Sequence, residues 1–283
     1  MLQTISREIE FDASHRLLDS PESPCYRMHG HRYKVIAYIT GFLNSKGYII
    51  DFGQLKNILY FQVHDPLDHQ FINTIVGETN ATVERMIEWA WPRIAEQVAR
   101  SGALLTKMTI YETPTCEASF ELPIQYIAAM IDGEGSICQS GNTEIQLRIS
   151  NTNLEMLESL KSEVGSGSIQ KAKRNIKATK DCYSLVFSRR IARLVCAVCL
   201  PYFRVKKAQA ELCISFGPYE TGRGKLSDFE WERRARILSS ISKFNGHGRI
   251  WTAQELKDQQ EKFRKNRRLS ASKSYDSKRK RKT

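Results

Sequence analysis

Residues 25–42 read CYRMHGHRYKVIAYITGF, and the alternation after Arg32 decides how the first part of the chain folds. Apolar or aromatic side chains recur at every second position, the period of a half-buried strand over about 32–42. Residues i and i+2 of a strand share a face, so His29 and His31, which open this one, point the same way. A first strand over about 2–11 leads to His15, and a hairpin partner brings that third imidazole onto the same face. Three histidines around an open fourth position make the ligand count of a catalytic zinc site, because structural sites usually close with cysteine. Surface or capping histidines clustered by chance would give the same spacing.

Outward from this stretch, Asp51 caps a helix running to about residue 63. A second helix fits about 81–101, with Met86, Ile87, Trp89, Ala90 and Ile94 on its apolar side. LLTKMTIYET (104–113) is a last strand. Strands and helices segregate, which is an α+β pattern. Cys25 lies four residues before His29, just outside the three imidazoles, where a dication lowers a thiol's pKa. Leu67-Asp68-His69 sets a carboxylate beside an imidazole, as in an orienter–base pair, although such a dipeptide alone is more often a helix-end cap. Glu112 ends the last strand, where an isolated glutamate is usually solvated.

FDASH (11–15), CYRMHGH (25–31), DF (51–52), LDHQFIN (67–73) and YETPT (111–115) occur in the order found in 6-pyruvoyl- and 6-carboxytetrahydropterin synthases, which residues 1–121 resemble throughout. The resemblance implies a tunnelling-fold (T-fold) subunit in a homo-oligomeric barrel with active sites at subunit interfaces. It implies that His15, His29 and His31 bind zinc, Cys25 is the general base, Asp68 and His69 form a proton relay, and Glu112 anchors the pterin ring. The Cys25-to-His29 spacing resembles the carboxy, queuosine-pathway branch. The implied lyase reaction turns 7,8-dihydroneopterin triphosphate into 6-carboxy-5,6,7,8-tetrahydropterin, releasing acetaldehyde and triphosphate; the pyruvoyl product is the alternative. Asn80-Ala81-Thr82 stands where the family usually has Asn-Pro-Thr, which loosens a helix start and touches no named catalytic group.

Further along, YIAAMIDGEGSI (126–137) reads as a short helix with small residues at Ala128, Ala129 and Gly133. Asp132 and Glu134 fall at its negative C-terminal end, where carboxylates want positive compensation such as a hard divalent metal. An ordinary helix capped at Gly135, with two solvated acids, is the plain alternative. A strand over 145–150, a helix over 154–164, the GSGSI turn (165–169), a strand over 182–188 and a helix over 191–200 follow, then PYFRVKKAQA (201–210) and a helix at about 227–243. This order resembles a single-motif LAGLIDADG homing endonuclease over about 123–245, of αββαββα type. The resemblance implies a homodimer cutting double-stranded DNA with magnesium. Glu134 and the Gly133 carbonyl would hold the metal, Lys206 would assist at the scissile phosphate, and Asn151 would position solvent.

Composition agrees with two unlike halves in a chain of 283 residues. Residues 1–123 hold 11 Lys+Arg against 15 Asp+Glu, and residues 124–283 hold 32 against 16. Five of the six histidines lie before residue 70. The basic excess suits a nucleic-acid partner. The expected division is 1–122, a synthase-like domain; 123–250, an endonuclease-like domain; and 251–283, a basic, disordered tail ending SKRKRKT. Seven scattered cysteines make no disulfide framework and fit a reducing cytoplasm. Cys196 and Cys199, a lone CxxC, read as helix core. No apolar run is long enough for a membrane span, and MLQTISREIEFDASH carries charges where a signal peptide needs an apolar stretch. No synthase-like sequence resumes after the endonuclease-like part and no terminal His-Asn splice signal is present. The expectation is therefore a bifunctional fusion translated through PTCEASFELPIQY (114–126) rather than a protein-splicing element. Its competitors are a synthase joined to a dead DNA-binding module and a nuclease carrying an inactive synthase relic.

Overall fold

The structure, a computed structural model, describes residues 1–77, 80–140, 144–172, 180–217, 226–263 and 265–266. Its architecture is α+β. Strands β1 (Leu2–His15), β2 (His29–Phe42), β3 (Leu104–Thr113) and β4 (Cys116–Glu121) form an antiparallel sheet in that order. The β1–β2 ladder runs from Leu2 opposite Phe42 to His15 opposite His29, so both strands extend past their expected ends to reach the histidines. β4 arises inside the segment read as the junction; its mostly exposed side chains suit an edge strand.

Helix α1 (Phe52–Leu59) starts where Asp51 accepts the Gly53 and Gln54 amides at 2.9 and 3.1 Å. It continues as a π-helical turn over Tyr60–His64 and a short turn over Asp65–Leu67. Helix α2 (Val83–Arg100) is capped by Thr82. Leu55, Leu59, Met86, Ile94 and Val98 of these helices are buried, as are Phe11, Val35, Ile39, Met108 and Ile110 of the sheet. One expected core position is corrected. Trp89 is half-exposed beneath the Arg93 guanidinium, 4.4 Å from its ring centre, and Trp91 takes the buried place. Trp91 packs edge-on against Phe120 at 4.6 Å and donates its indole N–H to the Glu163 carbonyl at 2.9 Å. A buried indole needs such an acceptor, and that acceptor lies 72 residues away in sequence.

Beyond β4 come α3 (Ile124–Glu134), β5 (Gly135–Gln139), β6 (Ile145–Asn151), α4 (Leu154–Val164), β7 (Ser168–Lys171), β8 (Tyr183–Ser188) and α5 (Arg189–Cys199), an αββαββα order. Helices α6 (Lys207–Ser215) and α7 (Asp228–Phe244) follow. The second sheet has the order β5-β6-β8-β7, with β5 and β6 antiparallel from Gly135 opposite Ile149 to Gln139 opposite Ile145. Neither β5 nor α6 is anticipated by the sequence reading. The tail is corrected over part of its length: residues 253–263 are helical and Leu256 is fully buried. Residues 267–283, with SKRKRKT, lie outside the described residues. Two compact units divide the chain, residues 1–127 with 151–185, and 128–150 with 186 onward, so α4 belongs to the same unit as α2. No described helix is long and apolar enough to cross a membrane.

Candidate functional site

The ladder between β1 and β2 fixes the first site. His15 and His29 are direct cross-strand partners, and His31 lies opposite Ala13, two steps inward. Ring centres are 4.5 Å apart for His15 and His29, 5.1 Å for His15 and His31, and 4.9 Å for His29 and His31. One ligand atom from each lies within 4.8 Å of the others. His15, only 2% exposed, donates Nδ1–H to the Ala81 carbonyl at 2.8 Å. His29 donates Nδ1–H to the Arg27 carbonyl at 2.8 Å. A carbonyl can only accept, so each ring carries a proton on Nδ1 and turns its Nε2 inward.

Those two Nε2 atoms are 3.1 Å apart, and Glu112 Oε1 stands 3.3 Å from His15 Nε2 and 3.9 Å from His31 Nε2. Nitrogens and a carboxylate oxygen facing one another call for positive charge between them, either a proton on one Nε2 or a metal ion. Tetrahedral Zn–N bonds of about 2.0–2.1 Å set ligand atoms roughly 3.3 Å apart, so the donors fit zinc in type and His15 and His29 fit it in spacing, with the His31 nitrogen within 4.8 Å of both. Burial pushes the His31 imidazole below its ordinary value, toward the neutral form a metal requires. The Ala81 carbonyl also revises one expectation. The Asn80-Ala81-Thr82 departure does touch a candidate ligand, but through a backbone group that proline carries too, and Thr82 still caps α2.

The remaining synthase candidates lie near the ends of the same strands. Cys25 is half-buried in a 3-10 turn, Pro24–Tyr26, tied to β1's exit by the Leu17 amide on its carbonyl at 2.8 Å. Residues 68–72 are clamped along β1 by His69 N to Asp12 O at 2.6 Å, Ser14 N to Gln70 O at 3.0 Å and Ile72 N to Ser14 O at 2.9 Å. There Asp68 Oδ2 accepts from His69 Nδ1 at 2.8 Å and Asp68 Oδ1 accepts the Asp12 amide at 3.1 Å. The His69 bond and the Asp12 amide hold the Asp68 carboxyl below its usual range. His69 has φ 55°, a left-handed conformation that costs a non-glycine residue on the order of 1 kcal/mol and is typical of functional sites. Its side chain is 78% exposed, and among the described residues no hydrogen bond or ion pair joins Cys25, Asp68 or His69 to the three histidines. Glu112, by contrast, is brought onto them. Sequence reasoning missed Tyr33, which is fully buried with its ring edge-on to His15 at 6.1 Å and to His31 at 5.7 Å; its signal was the i+2 step from His31.

The second candidate group sits at the end of α3. Asp132 Oδ2 accepts the Arg204 amide at 2.7 Å and Oδ1 the Lys206 amide at 2.8 Å. Burial works to raise this carboxyl, but the amides of Arg204, Lys206 and Val205 and the Lys206 charge outweigh it and hold it low. The expected metal compensation is therefore corrected for Asp132: backbone amides supply it. Glu134 is exposed and has no hydrogen-bond or ion-pair partner among the described residues, and a side chain at Gly133 would meet nothing within 4 Å. Lys206 precedes α6, and Asn151 ends β6 with its Oδ1 accepting the Asn153 amide at 2.9 Å. Cys196 and Cys199 are buried helix core as expected. A hydrogen bond with Cys213 and burial raise the Cys196 thiol, and burial pushes Cys199 up to about 12, which makes both poor nucleophiles.

Residues 4–123 match the family model described as 6-pyruvoyl tetrahydropterin synthase. The 6-carboxy-5,6,7,8-tetrahydropterin synthase of Haemophilus influenzae is 31% identical over 136 residues, covering 40% of this chain and 96% of that protein. The 6-pyruvoyl tetrahydropterin synthase of Caenorhabditis elegans superposes with a TM-score of 0.38 at 23% identity, over 43% of this chain and 96% of the other. The homing endonuclease I-CvuI, in complex with an I-CreI target, gives a TM-score of 0.39 at 17% identity, over 50% and 94%.

Proposed function

Because this chain belongs, through its first 123 residues, to the 6-pyruvoyl tetrahydropterin synthase family, we propose that residues 1–122 convert 7,8-dihydroneopterin triphosphate to 6-carboxy-5,6,7,8-tetrahydropterin, with release of acetaldehyde and triphosphate. The observation that carries this reading is the convergence of two inward-facing Nε2 atoms and the Glu112 carboxylate at 3.1–3.3 Å. His15, His29 and His31 would hold zinc. When bound, that ion supplies Lewis-acid polarisation of the substrate's side-chain diol. Cys25, as thiolate, takes a proton from the carbon beside that diol, and the Asp68–His69 pair moves a proton at His69 Nε2, with Asp68 fixing the tautomer. Glu112 accepts N–H groups of the pterin ring and orients it. The outward His69 supports a homo-oligomer in which a second copy completes each site. Three residues between Cys25 and His29 favour the carboxy over the pyruvoyl product. The zinc-loaded chain is expected to form the 6-carboxy product with equimolar acetaldehyde. A 6-pyruvoyl product would reassign the branch, and no turnover would sink the reading.

For residues 123–250 we propose a LAGLIDADG DNA endonuclease domain, working as a homodimer on double-stranded DNA. The αββαββα order, the free Glu134 at the end of α3 and the exposed Tyr126, Ala129 and Gly133 along that helix support this. Glu134 and the Gly133 carbonyl would hold magnesium, Lys206 would face the scissile phosphate and Asn151 would position solvent. The separation of roles is physical: Asp132 is spent on amides, while Glu134 is left for a ligand. With Mg²⁺ and DNA of an uninterrupted synthase gene, site-specific double-strand cuts are expected. Glu134→Gln is expected to lower cutting by at least about 100-fold while binding persists. Binding without cutting by the unaltered chain would make this a DNA-binding module only.

A further inference from the structure

Tyr33 is a large polar residue sealed where an apolar one would serve. It is 0% exposed and stacks on Phe11 at 5.3 Å, and its hydroxyl has no hydrogen-bond partner among the described residues. Burying a hydroxyl without a partner forfeits its hydrogen bonds to water, and phenylalanine would fill the same space without that loss. The position explains what the hydroxyl is for. Tyr33 follows His29 and His31 on the inner face of β2. Lys34 is paired with Tyr111 across the β2–β3 ladder, and the two touch, with Lys34 Nζ 4.3 Å from the Tyr111 ring centre. The β2–β3 ladder ends at that pair, and its register carried one step further would set Tyr33 opposite Glu112, on the other face of the sheet from Lys34 and Tyr111. That face is the one bearing the three imidazoles.

We propose that Tyr33 is a positioning residue: its O–H is the buried donor that holds the Glu112 carboxylate in the pose that receives the pterin ring. This rests on the synthase reading above. Glu112 has one carboxylate and two claims on it. In the structure it leans on His15 and His31, atoms that a metal ion takes for itself. Once those nitrogens serve a cation, the carboxylate needs another donor on the inner face to keep it from swinging freely, and Tyr33 supplies it. A half-buried carboxylate oriented by one neutral donor keeps its remaining lone pairs for the substrate's N–H groups.

The test is a double-mutant cycle on the full-length, zinc-loaded chain, with KM for 7,8-dihydroneopterin triphosphate, zinc content and the Tm of the metal-free protein as readouts. Tyr33→Phe is expected to raise KM about tenfold, the size of one hydrogen bond at a binding carboxylate. Zinc stoichiometry should stay unchanged, and the metal-free Tm should hold or rise, since an unpartnered buried hydroxyl is gone. On a Glu112→Gln background, the same substitution should add little. A KM equal to the unaltered chain's, full additivity with Glu112→Gln, or a loss of zinc and Tm together would each overturn the proposal. If the unaltered, zinc-loaded chain neither binds nor turns over this pterin, the synthase reading itself fails and the proposal with it.

Discussion

Replacing His29 by alanine is expected to leave zinc binding sub-stoichiometric and to cut pterin turnover by at least about 10³-fold. Three protein ligands and one open position define a catalytic zinc site, and two ligands no longer hold the ion against its aqueous shell. The Lewis-acid contribution lost is several kcal/mol, and each 1.36 kcal/mol is a factor of ten in rate, so about three decades follow. His29 is the informative choice because it is half-exposed, whereas His15 is sealed at 2% and its removal would also open a cavity. The Tm of the metal-free His29→Ala chain should therefore stay near that of the unaltered protein. Metal analysis of the purified variant, with turnover measured beside it, checks both halves. Full zinc occupancy with turnover within tenfold of normal would remove His29 from the metal site and leave the three-histidine assignment without its base.

What the sequence disclosed of this site, and what it withheld, divides along a physical line. His29 and His31 were legible because a strand's period puts i and i+2 on one face, and His15 because a hairpin returns its neighbour. Each of those inferences needs only one ladder. Glu112 was legible as a pterin anchor only through the family resemblance, and from its own position it was a solvated strand end, because its approach to His15 depends on a third strand and on the β2–β3 register, which a bulge at Tyr38 and Ile39 shifts. The strain at His69 depends on backbone hydrogen bonds to β1, more than 50 residues earlier in the chain. Asp132 shows the same limit: its charge at a helix C-terminus signalled a need for compensation, but only the fold says that residues 204–206 meet it. Trp89 and Trp91 are a case of another kind. Trp91 stands four residues from Ile87 and Ala95 and three from Ile94, on the buried arc, whereas Trp89 lies off it, so the helical period itself favours Trp91. What no pattern within α2 encodes is the carbonyl that α4 brings to the Trp91 indole.

That same contact supports the second large effect, at Gly165. It ends α4 as a left-handed cap with φ 72°, and a Cβ there would lie inside van der Waals distance of the Ala95 carbonyl carbon and oxygen, with Glu96 N at 2.6 Å. Gly165→Ala therefore meets two penalties at once. The left-handed conformation costs an L-residue roughly 1–2 kcal/mol. Overpacking against backbone, which cannot rotate away, adds about 1–3 kcal/mol, and tilting α4 to relieve it would break the Trp91–Glu163 bond instead. A destabilisation of about 3 kcal/mol corresponds to a Tm fall of roughly 6–12 °C for a unit of this size. Gly47→Ala separates the terms, because Gly47 lies in the same unit at φ 85° with nothing within 4 Å of its missing Cβ. Gly47→Ala should cost about 1–2 kcal/mol from conformation alone. Thermal unfolding followed by tryptophan fluorescence reads both, and Gly165→Ala should exceed the control and shift the folded-state emission of Trp91. Equal losses in the two variants would mean that α4 does not rest on α2. The seat matters for the chain as a whole: residues 154–165 lie beyond the 4–123 match, so the extension would contribute to the stability of the synthase half.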